Sequence, residues 1–163
     1  MDGMLLEGYR ALRESAAWLD LSGRGKIVVR GEDRTRLLHA MTTNDVQELE
    51  PGRGCYAFFL DAQGHILGDV NLFCLPDHFL LDTEPETAGR LYAHLDKYII
   101  ADDVTLENAG SELATLAVEG PKAGDVLTAL GASAPEAPYG HLPWGAQTVA
   151  RVNSTGAPGF FGN

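Results

Sequence analysis

The stretch 56-YAFFLDAQGHILGDVNLF-73 places a phenol and a carboxylate, Tyr56 and Asp69, on two runs of otherwise largely apolar residues joined by a turn; Asn71 follows in the second run. With Ala62 and Gln63 at the tip, period-two alternation sets Tyr56 against Asp69, Phe58 against Leu67 and Leu60 against His65 on one face. The other face carries Phe59 with Ile66 and Ala57 with Gly68, the latter a small pair that lets a backbone or flat ligand come close. A phenol and a carboxylate beside aromatic surface suit a flat heteroaromatic molecule with polar edges. They equally suit a partly solvated hairpin face, or a buried carboxylate satisfied by the hydroxyl and a loop amide. Spacing alone leaves both readings open.

Other reactive residue types form no constellation. His39, His65, His78, His94 and His141 lack metal-ligand spacing to another His, Cys or carboxylate pair on the same element, so no metal site is expected. Cys55 and Cys74 sit in apolar runs and read as buried free thiols, and Asp102 and Asp103 flank a strand start. A nucleophile elbow, a phosphate-binding glycine loop and a CxxC motif are absent, and 52-GRGC-55 does not open a helix.

The chain has 163 residues, 45% of them hydrophobic, and a formal net charge of −11. That field repels phosphate backbones and anionic lipid, which excludes nucleic acid and membrane surfaces as partners. It does not exclude a small anion, because Arg34 and Arg36 make a positive spot within a Debye length of roughly 8 Å. The N-terminus lacks a secretory pattern and no segment approaches about 18 apolar residues, so a soluble, cytoplasmic protein is expected.

Around the hairpin, apolar spacing predicts a helix over 4–17 with Leu5, Tyr9, Leu12 and Ala16 as its stripe. A strand over 26–30 leads into a helix over 31–41 with Gly31 as N-cap, then a loop over 42–54. Residues 78–82 read as a strand, and Pro85 opens a helix carrying Ala88, Leu91, Leu95 and Tyr98. Strands over 103–108 and 112–120, a helix over 121–130, a loop over 131–145 and a hairpin of 146–152 with 159–161 complete the chain. Meandering strands with interposed helices make this an α+β fold with largely antiparallel sheets. A last strand with no helix behind it implies a portion of something larger, or an edge covered by a partner.

As a set, 24-RGKIVVRGEDRTRLLHAMTTNDV-46, the hairpin, 98-YIIADDVTLEN-108, 116-LAVEGPKAGDVL-127 and 155-TGAPGFFG-162 resemble one family. It is the folate-binding superfamily of the glycine cleavage T-protein (aminomethyltransferase) and the YgfZ-type iron–sulfur cluster proteins. The resemblance implies that residues 1–163 are a folate-binding domain, incomplete at its C-terminus, where relatives continue into a barrel-like domain; the length allows either one body or two lobes at 1–110 and 111–163. It implies that Tyr56 contacts tetrahydrofolate or a one-carbon derivative, and that Asn44, in the TND segment, lies near the pocket. Where aminomethyltransferases carry two carboxylates in the stretch matching 64-GHILGDV-70, the first engaging N10 of the folate, this chain has Gly68 and then Asp69. Glycine can neither orient the amine nor take its proton, and Asp69 belongs to the other strand face, so no catalytic residue is expected. Phe161 replaces a carboxylate implied to read the pterin edge. Although 53-RGCYA-57 looks like the KGCY-x-GQE signature of YgfZ-type proteins, that signature lies in their C-terminal half, so Cys55 reads as structural.

The departures at Gly68 and Phe161 favour a YgfZ-like tetrahydrofolate-binding domain that supports iron–sulfur cluster assembly or repair, with an iron–sulfur protein as client. The alternative is an aminomethyltransferase passing a methylene group from a lipoyl carrier protein to tetrahydrofolate. A third reading is a truncated, inactive member.

Overall fold

The computed structural model describes residues 3–163, with side chains from Leu6 onward. The elements are α1 (Gly3–Glu14), β1 (Ala17–Asp20), β2 (Gly25–Arg30), α2 (Arg34–Met41), β3 (Arg53–Leu60), β4 (Ile66–Cys74) and β5 (Phe79–Thr83). They continue with α3 (Pro85–Tyr98), β6 (Thr105–Asn108), β7 (Leu116–Glu119), α4 (Ala123–Ala129), β8 (His141–Trp144), β9 (Gln147–Ala150) and β10 (Gly159–Gly162). The fold is α+β with two antiparallel five-stranded sheets, as the pattern of strands and helices predicts. None of the described helices is long and apolar enough to cross a membrane.

Two compact units share the chain: Gly23–Leu113, and Met1–Ser22 together with Ala114–Asn163. In the first, the sheet order is β3-β4-β5-β2-β6. Its core sets Ala57, Phe59, Val70, Leu72, Leu81, Ile27 and Val29 from alternate strand positions with Leu91 and Leu95 of α3. Leu91 and Leu95 meet the sheet because residues four apart lie on one helix face, and Pro85 fits the first turn, where an amide has no partner to lose. A Cβ at Gly25 would stand 2.3 Å from Ala88 Cβ, so glycine lets α3 settle on β2.

Gly31 is a turn residue, not the expected N-cap. Its φ is +106°, and a Cβ there would lie 2.0 Å from the Asp103 carbonyl oxygen. Asp33 holds the N-cap position of α2, and its carboxylate accepts from the Asp103 amide at 2.9 Å instead of capping the helix. Asp103 returns the bond, accepting from the Glu32 amide at 3.0 Å.

The second unit differs more from expectation. Its sheet order is β1-β7-β10-β9-β8, so the last strand is interior, paired on one side to β7 and on the other to β9. The expected free edge at the end of the chain does not exist there. Residue 17, expected to close the helix over 4–17, instead opens β1 against β7, and Tyr9 of the expected apolar stripe is 61% exposed. Within the expected 131–145 loop, His141–Trp144 pairs with β9 around Gly145. Both differences come from long-range pairing that overrides local composition.

Glu119 ties this unit together. It is fully buried at the end of β7, and Oε1 accepts from the amide and hydroxyl of Ser154 at 2.7 and 2.8 Å. Oε2 accepts from the Thr155 amide at 3.0 Å and from the Thr155 hydroxyl. A Cβ at Gly159 would be 2.5 Å from Glu119 Cγ, so glycine makes room for the carboxylate beside β10. Glu119→Gln keeps the shape but turns an NH2 group against donors. It should cost about 2–4 kcal/mol in urea unfolding; a loss under about 0.5 kcal/mol would show that this carboxylate is not what holds the loop.

Candidate functional site

The hairpin forms, but its tip is longer than two residues. The Asp61 amide donates to the His65 carbonyl at 2.9 Å, and Asp61 Oδ1 accepts from the amides of Gln63 and His65 at 2.9 and 2.8 Å. Leu60 pairs with Ile66, and the register then shifts, so that Phe59 pairs with Gly68, Phe58 with Asp69 and Tyr56 with Asn71. Leu67 is the extra residue of a β-bulge. Past the bulge the pairing differs from the expected one by two residues. Because side chains repeat every two residues, such a slip changes partners but keeps faces.

Tyr56 and Asp69 therefore share a face without being opposite each other. The Tyr56 hydroxyl reaches across diagonally and donates to Asp69 Oδ2 at 2.5 Å. The Tyr56 and Phe58 rings meet edge to face with centroids 5.2 Å apart. Tyr56 is 40% exposed and Asp69 and Asn71 are half-buried, so the face is accessible. Toward the hairpin tip, a separate cleft of about 240 Å³ lies between Thr42–Thr43, Leu60–Ala62 and His94, and burial lowers the pKa of His94.

Gly68 does not belong to this face. A Cβ at position 68 would point at α3, 3.2 Å from both Leu91 Cδ1 and Thr87 Cβ. The reverse side of the hairpin is filled by the protein's own helix, which corrects the expected approach of a flat ligand along Ala57 and Gly68: at position 68 that side is occupied by Leu91 and Thr87. A carboxylate at position 68 would face α3, whereas Asp69 stands on the open face beside Tyr56.

Asn44 works through Tyr56. Its Nδ2 donates to the Tyr56 carbonyl at 3.0 Å, while its Oδ1 accepts from the Asp45 amide at 2.8 Å. With Thr43 exchanging bonds with the Phe58 backbone at 3.0 and 3.1 Å, residues 42–44 cover the edge of β3 and steady its outer face.

Residues that the sequence reading gave no role continue the polar face across the sheet. Cross-strand pairing aligns Tyr56, Asn71, Asp82 and Lys26 on four neighbouring strands. Asn71 Nδ2 donates to Asp82 Oδ2 at 3.0 Å, and Arg24 Nε donates to both Asp82 oxygens at 2.8 and 3.0 Å. Arg24 also pairs with Glu84. Burial works against the Arg24 charge, but Asp82 and Glu84 outweigh it and raise its pKa; Lys26, 1% exposed beside Asp82, has its pKa lowered by burial. The signal in the sequence was Asn71 two residues beyond Asp69 and a lone Asp82 ending the apolar run 78-HFLLD-82. Phe161 is buried opposite Ala117 and Ala150. Among the described residues no group of three or more His, Cys, Asp and Glu could hold a metal ion.

The family model for the GCVT N-terminal domain matches residues 1–158. The chain belongs to that family. It is 32% identical over 166 residues to an aminomethyltransferase of Chloroherpeton thalassium, covering 98% of this chain and 46% of the relative. It is 35% identical over 138 residues to a sarcosine oxidase subunit alpha of Corynebacterium sp., covering 82% of this chain and 14% of that subunit. The crystal structure of the glycine cleavage system aminomethyltransferase T from Bartonella henselae superposes with a TM-score of 0.86 at 25% identity, covering 97% of this chain and 44% of that one. The chain thus spans about half the length of the aminomethyltransferases it matches. These relatives favour the aminomethyltransferase alternative over the YgfZ-like reading, and none of them points to an iron–sulfur client.

Cys55, at the start of the hairpin, is 9% exposed, and burial pushes its thiol up from 9.0 to about 11. A folded pKa above the unfolded one means that the neutral thiol contributes its full stability below about pH 9 and loses it as the pH rises to about 11. The unfolding free-energy gap between the native chain and Cys55→Ala should therefore be flat at neutral pH and shrink between those values. A gap that stays constant to pH 11 would contradict this burial.

Proposed function

We propose that this chain is the folate-binding part of an aminomethyltransferase-type protein, with Asp69 as the carboxylate that engages the folate amine during one-carbon transfer. The observation that carries this reading is the 2.5 Å hydrogen bond from Tyr56 to Asp69 on the open face of the hairpin. The phenol occupies Oδ2 and holds the carboxylate in one orientation, leaving Oδ1 to accept from a ligand N–H. A carboxylate so placed orients the attacking amine and takes up its proton as the new carbon–nitrogen bond forms. The Tyr56 and Phe58 rings supply flat apolar surface beside it. The likeness to aminomethyltransferases along the chain supports tetrahydrofolate as the acceptor and a lipoyl carrier protein as the source of the aminomethyl group.

Titration of the protein with tetrahydrofolate, followed by calorimetry and thermal shift, should show saturable binding that raises Tm. Asp69→Asn should weaken binding about tenfold or more, the loss of one charge-assisted hydrogen bond. Tyr56→Phe should weaken it by about threefold to tenfold, because the carboxylate loses its orienting donor. Gly68→Asp should add no transfer activity, since its carboxylate would face α3. A native protein whose Tm and heat signal ignore tetrahydrofolate would end the proposal; a gain of transfer from Gly68→Asp would return the reacting carboxylate to position 68.

A further inference from the structure

Asn71 lies directly across from Tyr56 and two residues beyond Asp69, on the same face and on the same strand. An asparagine amide has a donor end and an acceptor end, and its neighbours decide which end points where. Here the decision comes from behind. Asp82 is 2% exposed and accepts two bonds from Arg24 and a third from Asn71 Nδ2 at 3.0 Å. A carboxylate has no N–H to offer, so the opposite orientation would set Asn71 Oδ1 against Asp82 oxygen and cost the bond. The NH2 end is held toward Asp82, and Oδ1, which accepts from no other described residue, points away from it.

We infer that Asn71 is a specificity-determining residue of this face, presenting its side-chain carbonyl as a second acceptor beside Asp69, so that the face selects ligands carrying two N–H donors along one edge. Residues two apart on a strand are separated by about 7 Å, a span that fits N–H groups of one fused-ring ligand and its adjoining amine. A tetrahydropteridine carries N–H at N5, on the same edge as the adjoining N10 amine, whereas the fully oxidised ring has a bare acceptor nitrogen there that would meet the Asn71 carbonyl lone pair to lone pair. Buried or half-buried acceptors left facing acceptors reject a ligand far more strongly than a missing apolar contact does. Arg24 and Asp82 then act as positioning residues: they touch no ligand and set which end of the amide the ligand meets.

This inference rests on the reading of the face as a folate site, and two ligands separate the two claims. Tetrahydrofolate and folic acid are titrated into the full-length native protein, Asn71→Leu and Asn71→Thr, each checked for native circular dichroism and cooperative unfolding. Threonine is β-branched and keeps a hydroxyl that can donate to Asp82, so it removes the carbonyl while sparing the network behind it. The native protein should prefer tetrahydrofolate. Both variants should lose about fivefold or more in affinity for tetrahydrofolate and bind folic acid as well as or better than the native protein, because the opposed lone pairs are gone, so that the preference collapses. Folded variants that keep the native preference, or that lose both ligands in equal measure, would overturn the role of Asn71 while leaving the folate site in place. A native protein that binds neither ligand would overturn the folate reading and this inference together.

Discussion

The Asp61 side chain sets the register of the hairpin on which the site is built. Its Oδ1 gathers the amides of Gln63 and His65, and Oδ2 lies 2.9 Å from His65 Nδ1, closing a five-residue tip in place of a two-residue one. These bonds, the His65 amide first, hold the Asp61 pKa below its ordinary value. The bulge at Leu67 then brings the strands back into step. Had the pairing slipped by one residue, Asp69 would point at Leu91 and Thr87, and Gly68 would lie on the open face. Everything polar about this surface depends on that parity.

Behind the open face stands a second constraint. Arg24, Lys26 and Asp82 are withdrawn from water within the unit that carries the hairpin. Charges so buried are tolerated only when their bonding is nearly complete, and removing one partner costs more than the pair contributes. That stringency gives the Asn71 amide a single orientation. A surface asparagine would turn freely and present donor and acceptor by turns; this one presents an acceptor beside the acceptor of Asp69. The sheet thus carries information sideways, from β2 and β5 through β4 to Tyr56 on β3, along a line perpendicular to the strands.

The other unit uses a buried carboxylate differently. Glu119 faces only donors from Ser154 and Thr155 and needs no cation, because four hydrogen bonds replace the water it gave up. It fastens the turn between β9 and β10 and so lets the final strand enter the sheet between β7 and β9. Two buried carboxylates in one chain, Asp82 and Glu119, therefore do separate work: one orients a neighbour, the other closes a loop.

What the amino-acid order determined by itself is whatever depends on neighbours along the chain. Short apolar runs marked β2 and β5, alternation marked the hairpin of β3 and β4, the spacing of Leu91 and Leu95 with Pro85 at the start marked α3, and parity put Tyr56 and Asp69 on one face even with the wrong partner assigned. Segments 17–20 and 141–144 carry no strong period, and became strands only because β7 and β9 offered unpaired backbone. The tertiary structure alone decided that position 68 looks into α3, that the last strand is interior, and that Asn71, Asp82 and Arg24 form one line. The physical reason is that side-chain periodicity is local, whereas strand order, register and the packing of a helix on a sheet are settled by groups far apart in sequence, 58 positions in the case of Arg24 and Asp82.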